Sequence, residues 1–265
     1  MLNFKEFQAK ARELFGKLNC DPAGDDPITF LHSLPWEIPN GPAFSEEEVA
    51  RMNIDFDVRG CFGRALKAAV LVEKYFPNET FYNGEVLEDL LRSMLMKKVT
   101  PEKWHDDTYV AEILQYENPH VAIVWNDSQF DPIFSLLTDR PETLKHPSIL
   151  KHSQWEGLYC YYLVSSGMLL FRQKQNPNLY LQALKQAEAI CPHMLLVKEN
   201  LVSALCALNR FDESVAIAKS LVGKRKDAKM LWFLLQMTGD PAYKDRLVRE
   251  YDIQMLHFLN KAFIP

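Results

Sequence analysis

Apolar residues recur every three or four positions along much of the chain, which is the period of an amphipathic helix. Near the start they predict a helix that ends around residues 16–19, and Ser45 followed by Glu48 predicts a capped helix that runs to about residue 53. Beyond residue 140 the pattern is helical throughout. It predicts a buried helix at 153–173 and then five shorter helices, at 179–190, 195–208, 211–222, 228–237 and 242–251.

The region between these helices is more varied. Residues 21–42 are rich in Pro, Gly and Asp, which predicts loops with one helical turn at 28–31. A short strand is expected at 80–83 with its turn at Gly84, followed by helices at 86–97 and 101–116. Strands therefore accompany helices in the first half of the chain, and an α+β fold is predicted.

One cysteine lies where a helix is expected to begin. Cys61 follows Gly60 directly, and an Ala-rich apolar run extends from Ala65 to Val72. The positive end of a helix dipole favours the thiolate form of such a residue, as a nearby imidazolium also does. Cys61 is therefore a candidate nucleophile.

A predicted hairpin further along the chain offers the groups that would activate this thiol. His120 opens an apolar strand, and Asp131 lies on the returning strand. If Asn126 and Asp127 form the loop, Asp131 pairs opposite Ala122, which shares a face with His120 because side chains alternate. A loop one residue later would pair Asp131 with Val124 and leave the facing unchanged. One dry face and one face that carries the chemistry are expected.

These motifs resemble the transglutaminase-like core of the papain-like cysteine enzymes, over about residues 56–134. The resemblance implies a cysteine on a helix N-terminus, packed on a small antiparallel sheet. It implies Cys61 as the nucleophile, His120 as general base and acid, and Asp131 as the group that orients His120. It also offers Trp36 as an indole N–H donor to the oxyanion, with an aromatic plug under a loop as the alternative role.

The helices of the second half resemble tetratricopeptide repeats. Ala183 and Ala216 lie 33 positions apart, and Pro192 and Lys226 lie 34 apart, close to the period of that repeat. We therefore predict a transglutaminase-like domain with an N-terminal helix at 1–140 and an α-helical, tetratricopeptide-like domain at 141–265. The alternative is that the helical part completes the core of the first domain.

Composition limits the function classes. The chain of 265 residues has a net charge of -5 and no basic block, which argues against nucleic acid as the principal partner. It has no apolar run long enough to span a membrane and a charged N-terminus, so a cytoplasmic protein without membrane association is expected. The five cysteines include no Cys-x-x-Cys, and Cys160, Cys191 and Cys206 are interpreted as small buried hydrophobes.

No phosphate-binding loop, zinc motif or calcium loop is present in the sequence, so neither a cofactor nor a metal is expected. The expected function is a cysteine enzyme that acts on amide bonds of a protein or peptide through a thioester. Cysteine-protease hydrolysis, glutamine deamidation and acyl transfer remain open. The alternative is a non-catalytic scaffold whose helical lobe binds a partner protein.

Overall fold

A computed structural model describes residues 1–21, 26–34, 36, 60–87, 121–131, 148–174, 176–224 and 228–250. The described residues fall into two compact units. The first lies within Met1–Val86 and Pro119–Val197, and the second within Leu87–Asn118 and Lys198–Pro265. The predicted division at residue 140 differs from this one, because strand and helix after that point belong with the first unit.

Two short helices at the beginning of the chain start at residues suited to capping. Helix α1 spans Phe4–Phe15, and the Asn3 side chain accepts from the backbone N–H of Glu6 while Glu6 bonds back to Asn3. Helix α2 spans Pro27–Ser33 and begins after Asp26, whose carboxylate accepts from Ile28. Local sequence is thus sufficient to begin both helices.

A small sheet carries the centre of the first unit. Strands β1 (Tyr82–Val86), β2 (Val121–Trp125), β3 (Ser128–Phe130) and β4 (Ile149–Ser153) form an antiparallel sheet in the order β3-β2-β1-β4 among the described residues. Helix α3 spans Gly60–Tyr75 and packs against β2. Together these elements confirm the predicted α+β class.

The long helix α4, Gln154–Lys174, packs on β1, on α3 and most extensively on α5, Pro177–Ile190. Its rings Tyr159 and Tyr162 are almost fully buried against Phe7 of α1. Their hydroxyls also hold the backbone of Leu2, since the Leu2 N–H donates to Tyr162 and Tyr159 donates to the Leu2 carbonyl. This aromatic cluster fixes α1 on α4.

The remaining helices are α6 (Leu195–Ala207), α7 (Phe211–Leu221), α8 (Ala228–Thr238) and α9 (Pro241–Glu250). The boundary between the two units falls within α6, after Val197. In the second unit Leu231 and Leu247 are buried at the contact of α8 with α9. The observed bounds of α4 to α9 agree with the predicted helices to within about two residues.

Two local predictions are wrong. Gly84 lies in the middle of β1 and not at a turn. A glycine suits this position because Ile149 and Val124 on the flanking strands leave no space for a side chain there. Residues 149–153 form strand β4 although a helical pattern was expected beyond residue 140; their pairing with β1 decides the conformation. The helices predicted from Ser45 and at 101–116 lie outside the described residues.

The tetratricopeptide-like spacing does not correspond to equivalent packing at its alanines. Ala183 is completely buried in α5, whereas Ala216 is exposed on α7. The small residues that α7 does bury are Ser214 and Ala218. Within the described part of the chain, no helix is both long and apolar enough to cross a membrane.

Candidate functional site

The helix that carries Cys61 begins where the sequence predicted. Helix α3 starts at Gly60, so Cys61 is its second residue. The first turn of a helix leaves backbone N–H groups without intrahelical partners, and these favour a negative charge. None of the described residues in this turn is acidic. The side chain of Cys61 itself lies outside the described part of the structure.

The predicted hairpin is confirmed in loop and register. Asn126 and Asp127 form the two-residue turn, and Asn126 adopts a positive φ of 52°. Asn tolerates this left-handed conformation, which matches the twist of a tight hairpin. Trp125 pairs with Ser128 and Ile123 with Phe130.

Asp131 directly follows β3 and is buried, with 6% of its surface exposed. Extending the observed register places it opposite Ala122, as the two-residue loop required. A buried carboxyl group beside a strand end is suited to hold the ring of a neighbouring histidine. His120 lies outside the described residues, so the distances that would join it to Cys61 and Asp131 stay predictions.

The expected open face of the hairpin is not seen on β2. Ala122 is completely buried and Val124 is 2% exposed, like Val121 and Ile123 on the other face. Both faces of this strand are therefore covered. The expectation of one dry face and one face that carries the chemistry followed from alternation within the hairpin alone, which does not show what the rest of the chain places over either face.

Trp36 packs on the hairpin at the residue that precedes Asp131. The Trp36 ring packs on that of Phe130, with ring centroids 5.2 Å apart. The ammonium group of Lys67, a residue of α3, lies 5.0 Å from the centroid of the Trp36 ring. The indole N–H donates to the backbone carbonyl of Leu31 at 2.8 Å. This arrangement matches the alternative role of an aromatic plug, since the N–H would have to leave Leu31 before it served an oxyanion. The oxyanion role stays a prediction.

A second polar cluster was missed by the sequence interpretation. Glu85 of β1 is completely buried, and its two carboxylate oxygens accept from the backbone N–H groups of Leu195 (2.9 Å) and Leu196 (2.6 Å) at the start of α6. The Nε2 atom of His152, on β4, lies 3.4 Å from the same carboxylate. Burial acts to lower the pKa of His152, but hydrogen bonds to Cys191 and Glu85 outweigh it and raise the pKa to about 9.

The sequence did hold one signal of this cluster. Helix α6 is preceded by Met194, which has no side-chain oxygen to accept from the first N–H groups of the helix. An acceptor from elsewhere was therefore required. Glu85 fills this role from 110 residues away, a distance over which no local pattern identifies the partner.

Among the residues that the structure describes, no group of three or more His, Cys, Asp or Glu side chains is arranged to hold a metal ion. No protein-family model matches the chain, and no matching curated protein or solved structure was found. The function has to be argued from the residues and their geometry.

Proposed function

We propose that this chain is a transglutaminase-like cysteine enzyme that acts on amide bonds of a protein or peptide. One observation carries the proposal: the helix whose second residue is Cys61 packs against β2, and the hairpin that β2 begins continues directly into Asp131. The helix that carries Cys61 is thus packed on the strand that His120 precedes in the sequence.

Each residue has a separate role in the proposed reaction. The Cys61 thiolate attacks the amide carbonyl, and the intermediate collapses to a thioester as His120 protonates the leaving amine. Water or a second amine then attacks the thioester and releases Cys61. Asp131 orients the imidazole and stabilises its protonated form, a role that a buried carboxylate performs well. Attack by water gives peptide hydrolysis or deamidation, and attack by a lysine amine gives a crosslink.

The charge distribution supports this assignment. The first turn of α3 carries no acidic residue among those described, and the helix behind it is apolar, with Ala65, Leu66 and Ala69 completely buried. Free backbone N–H groups at a helix N-terminus favour a thiolate and depress the pKa of a cysteine there.

The test is the reactivity of Cys61 compared with Cys20, a free cysteine that is partly exposed. At about pH 6, iodoacetamide should alkylate Cys61 of the folded chain roughly tenfold faster than Cys20. Both rates are measured by mass spectrometry of peptides from the alkylated protein. His120→Ala should reduce the rate at Cys61 to that of Cys20. His193→Ala, which removes an exposed histidine, is the matched control and should change neither rate.

A catalytic readout completes the test. Release of ammonia or an amine from glutamine-containing peptides should disappear in Cys61→Ser and fall strongly in Asp131→Asn. Equal alkylation of Cys61 and Cys20, with no amide turnover, would reject the enzyme.

The second candidate is a non-catalytic scaffold with a tetratricopeptide-like helical lobe that binds a partner protein. It is favoured by close helix packing in the second unit, where the buried Ser214 of α7 donates to the Val202 carbonyl of α6 at 2.8 Å. Small residues at such contacts let helices stack in pairs and leave a groove for a peptide. The same alkylation experiment separates the two candidates, because a scaffold has no need of a reactive Cys61.

A further inference from the structure

Two cysteines of the first unit meet at the end of α5. The thiol of Cys160, in the first half of α4, donates to the carbonyl of Ala187 at 3.4 Å. The backbone N–H of Cys191, directly after α5, donates to the same carbonyl at 2.9 Å. One carbonyl oxygen therefore anchors both residues and brings the Cys160 thiol close to Cys191.

The groups around this pair distinguish its two sulfurs. The neighbouring Cys160 and His152 side chains outweigh burial and lower the pKa of the Cys191 thiol. The neighbouring Cys191, together with burial, raises the pKa of the Cys160 thiol. Glu85, whose carboxylate lies 3.4 Å from Nε2 of His152, also favours the charged form of this ring and contributes to its raised pKa. The cluster thus favours the thiolate form at Cys191 over that at Cys160.

Access and polarity follow the same order. Cys191 retains 6% exposure, whereas Cys160 has none. Asn83 pairs with His152 across β1 and β4, is completely buried, and has no hydrogen-bond partner for its amide N or O among the described residues. Its Oδ1 lies against Gly157, one helical turn before Cys160. An unpaired amide in this layer provides a donor and an acceptor for a small polar molecule.

We propose that Cys160 and Cys191 form a peroxide-sensitive dithiol, a modification site in which Cys191 is oxidised first and Cys160 then closes a disulfide. Only a small oxidant fits the burial of the pair, and hydrogen peroxide is the simplest of that class.

The reaction balances with hydrogen peroxide as the only co-reactant. The Cys191 thiolate attacks one peroxide oxygen, the O–O bond breaks, and a sulfenic acid forms while hydroxide leaves and takes the proton of His152. The Cys160 sulfur then attacks the sulfenic sulfur, so that an S–S bond forms, the S–O bond breaks, and water leaves with the Cys160 proton. Two thiols are oxidised and one peroxide is reduced to two waters.

The disulfide would cross-link α4 to the end of α5 and leave His152 without its thiolate partner. This chemistry uses none of the residues proposed for amide cleavage. A negative result in the Cys61 experiment therefore does not affect the dithiol proposal, and a negative result for the dithiol does not affect the proposed amide chemistry.

The test uses the full-length, folded chain treated with hydrogen peroxide, blocked with N-ethylmaleimide and digested without reduction. Mass spectrometry should find the peptides of Cys160 and Cys191 joined, with these two thiols lost and restored by dithiothreitol. Cys160→Ser should leave Cys191 as a sulfenic acid that dimedone traps. His152→Gln should slow the oxidation about tenfold, since the thiolate loses its cationic partner, whereas Cys206→Ser should leave the rate unchanged.

The decisive outcome concerns the parent chain and needs no variant. If Cys160 and Cys191 are both recovered as N-ethylmaleimide adducts after peroxide treatment while Cys20 is oxidised, the proposal is rejected. A Cys160–Cys191 link that appears only after unfolding in urea rejects it equally, because the native cluster would then contribute nothing.

Discussion

Replacing Glu85 with glutamine is the sharpest test of the buried cluster, because the shape of the side chain is kept and its charge is removed. The carboxylate accepts from Leu195 and Leu196 and faces the Nε2 atom of His152. In Glu85→Gln one terminal atom becomes an NH₂ group, which has to face a backbone N–H or the imidazolium. A donor then meets a donor in a site without solvent.

The expected loss follows from these three contacts. Hydrogen bonds to a charged group contribute about 1.5–3 kcal/mol each, and breaking one side of a buried ion pair costs about 3–5 kcal/mol. Since the contributions share one carboxylate they do not add, and we expect the free energy of unfolding to fall by about 3–5 kcal/mol. That is a large part of the roughly 5–15 kcal/mol by which folded proteins are stable.

Urea unfolding measures this loss as a lower midpoint at unchanged slope, by about 1 M or more. Proton NMR should also show the pKa of His152 falling from about 9 toward its ordinary value of 6.5. Glu188→Gln is the matched control, because Glu188 forms a 2.8 Å pair with Lys185 at the surface. Its expected cost is below about 1 kcal/mol. Equal midpoints for the two variants would refute the role assigned to Glu85.

Two further predictions concern the same sheet. In the parent chain, the stability that comes from the raised pKa of His152 is fully present below about pH 6.5 and is lost as the pH rises through about 9. The lowered pKa of Cys191 acts in the opposite sense, because its contribution to stability grows as the pH rises over the same range. The two pH dependences therefore oppose each other. Cys191→Ser should therefore turn a nearly flat profile of unfolding free energy into one that falls with pH, and a flat profile in the variant would contradict this. Gly84→Ala should lower the free energy of unfolding, measured in urea, by about 1–3 kcal/mol, because its Cβ would lie 2.8 Å from side-chain carbons of Ile149 and Val124. The control is Gly239→Ala, at a residue in open space with a φ of +67°, where an added Cβ causes backbone strain without crowding.

Features that depend on local sequence were predictable. The start of α3 at Gly60, the two-residue loop at Asn126 and the helices after residue 153 each follow from residues within a few positions of one another. A glycine before an apolar helical run and an asparagine at a tight turn act through their own backbone preferences. No distant partner is needed to decide them.

Features that depend on distant pairing were not predictable. Strand β4 contains Lys151 and His152 and shows little alternation, so only its pairing with β1 identifies it as a strand. The interpretation of Cys191 as a small buried hydrophobe was right about its burial and did not anticipate His152 or Cys160 beside it. Such clusters assemble from elements far apart in sequence, and a single sequence carries no record of those contacts.

The burial of α3 has a mechanical consequence for any reaction at Cys61. Five consecutive residues from Ala68 to Val72 are 3% exposed or less, so the middle of the helix is enclosed on every side. A reactive sulfur at the N-terminus of such a fixed helix can adjust its position only by rotation of its own side chain. The incoming amide must supply the remaining motion, and we expect rates to depend on how flexibly the substrate presents its bond.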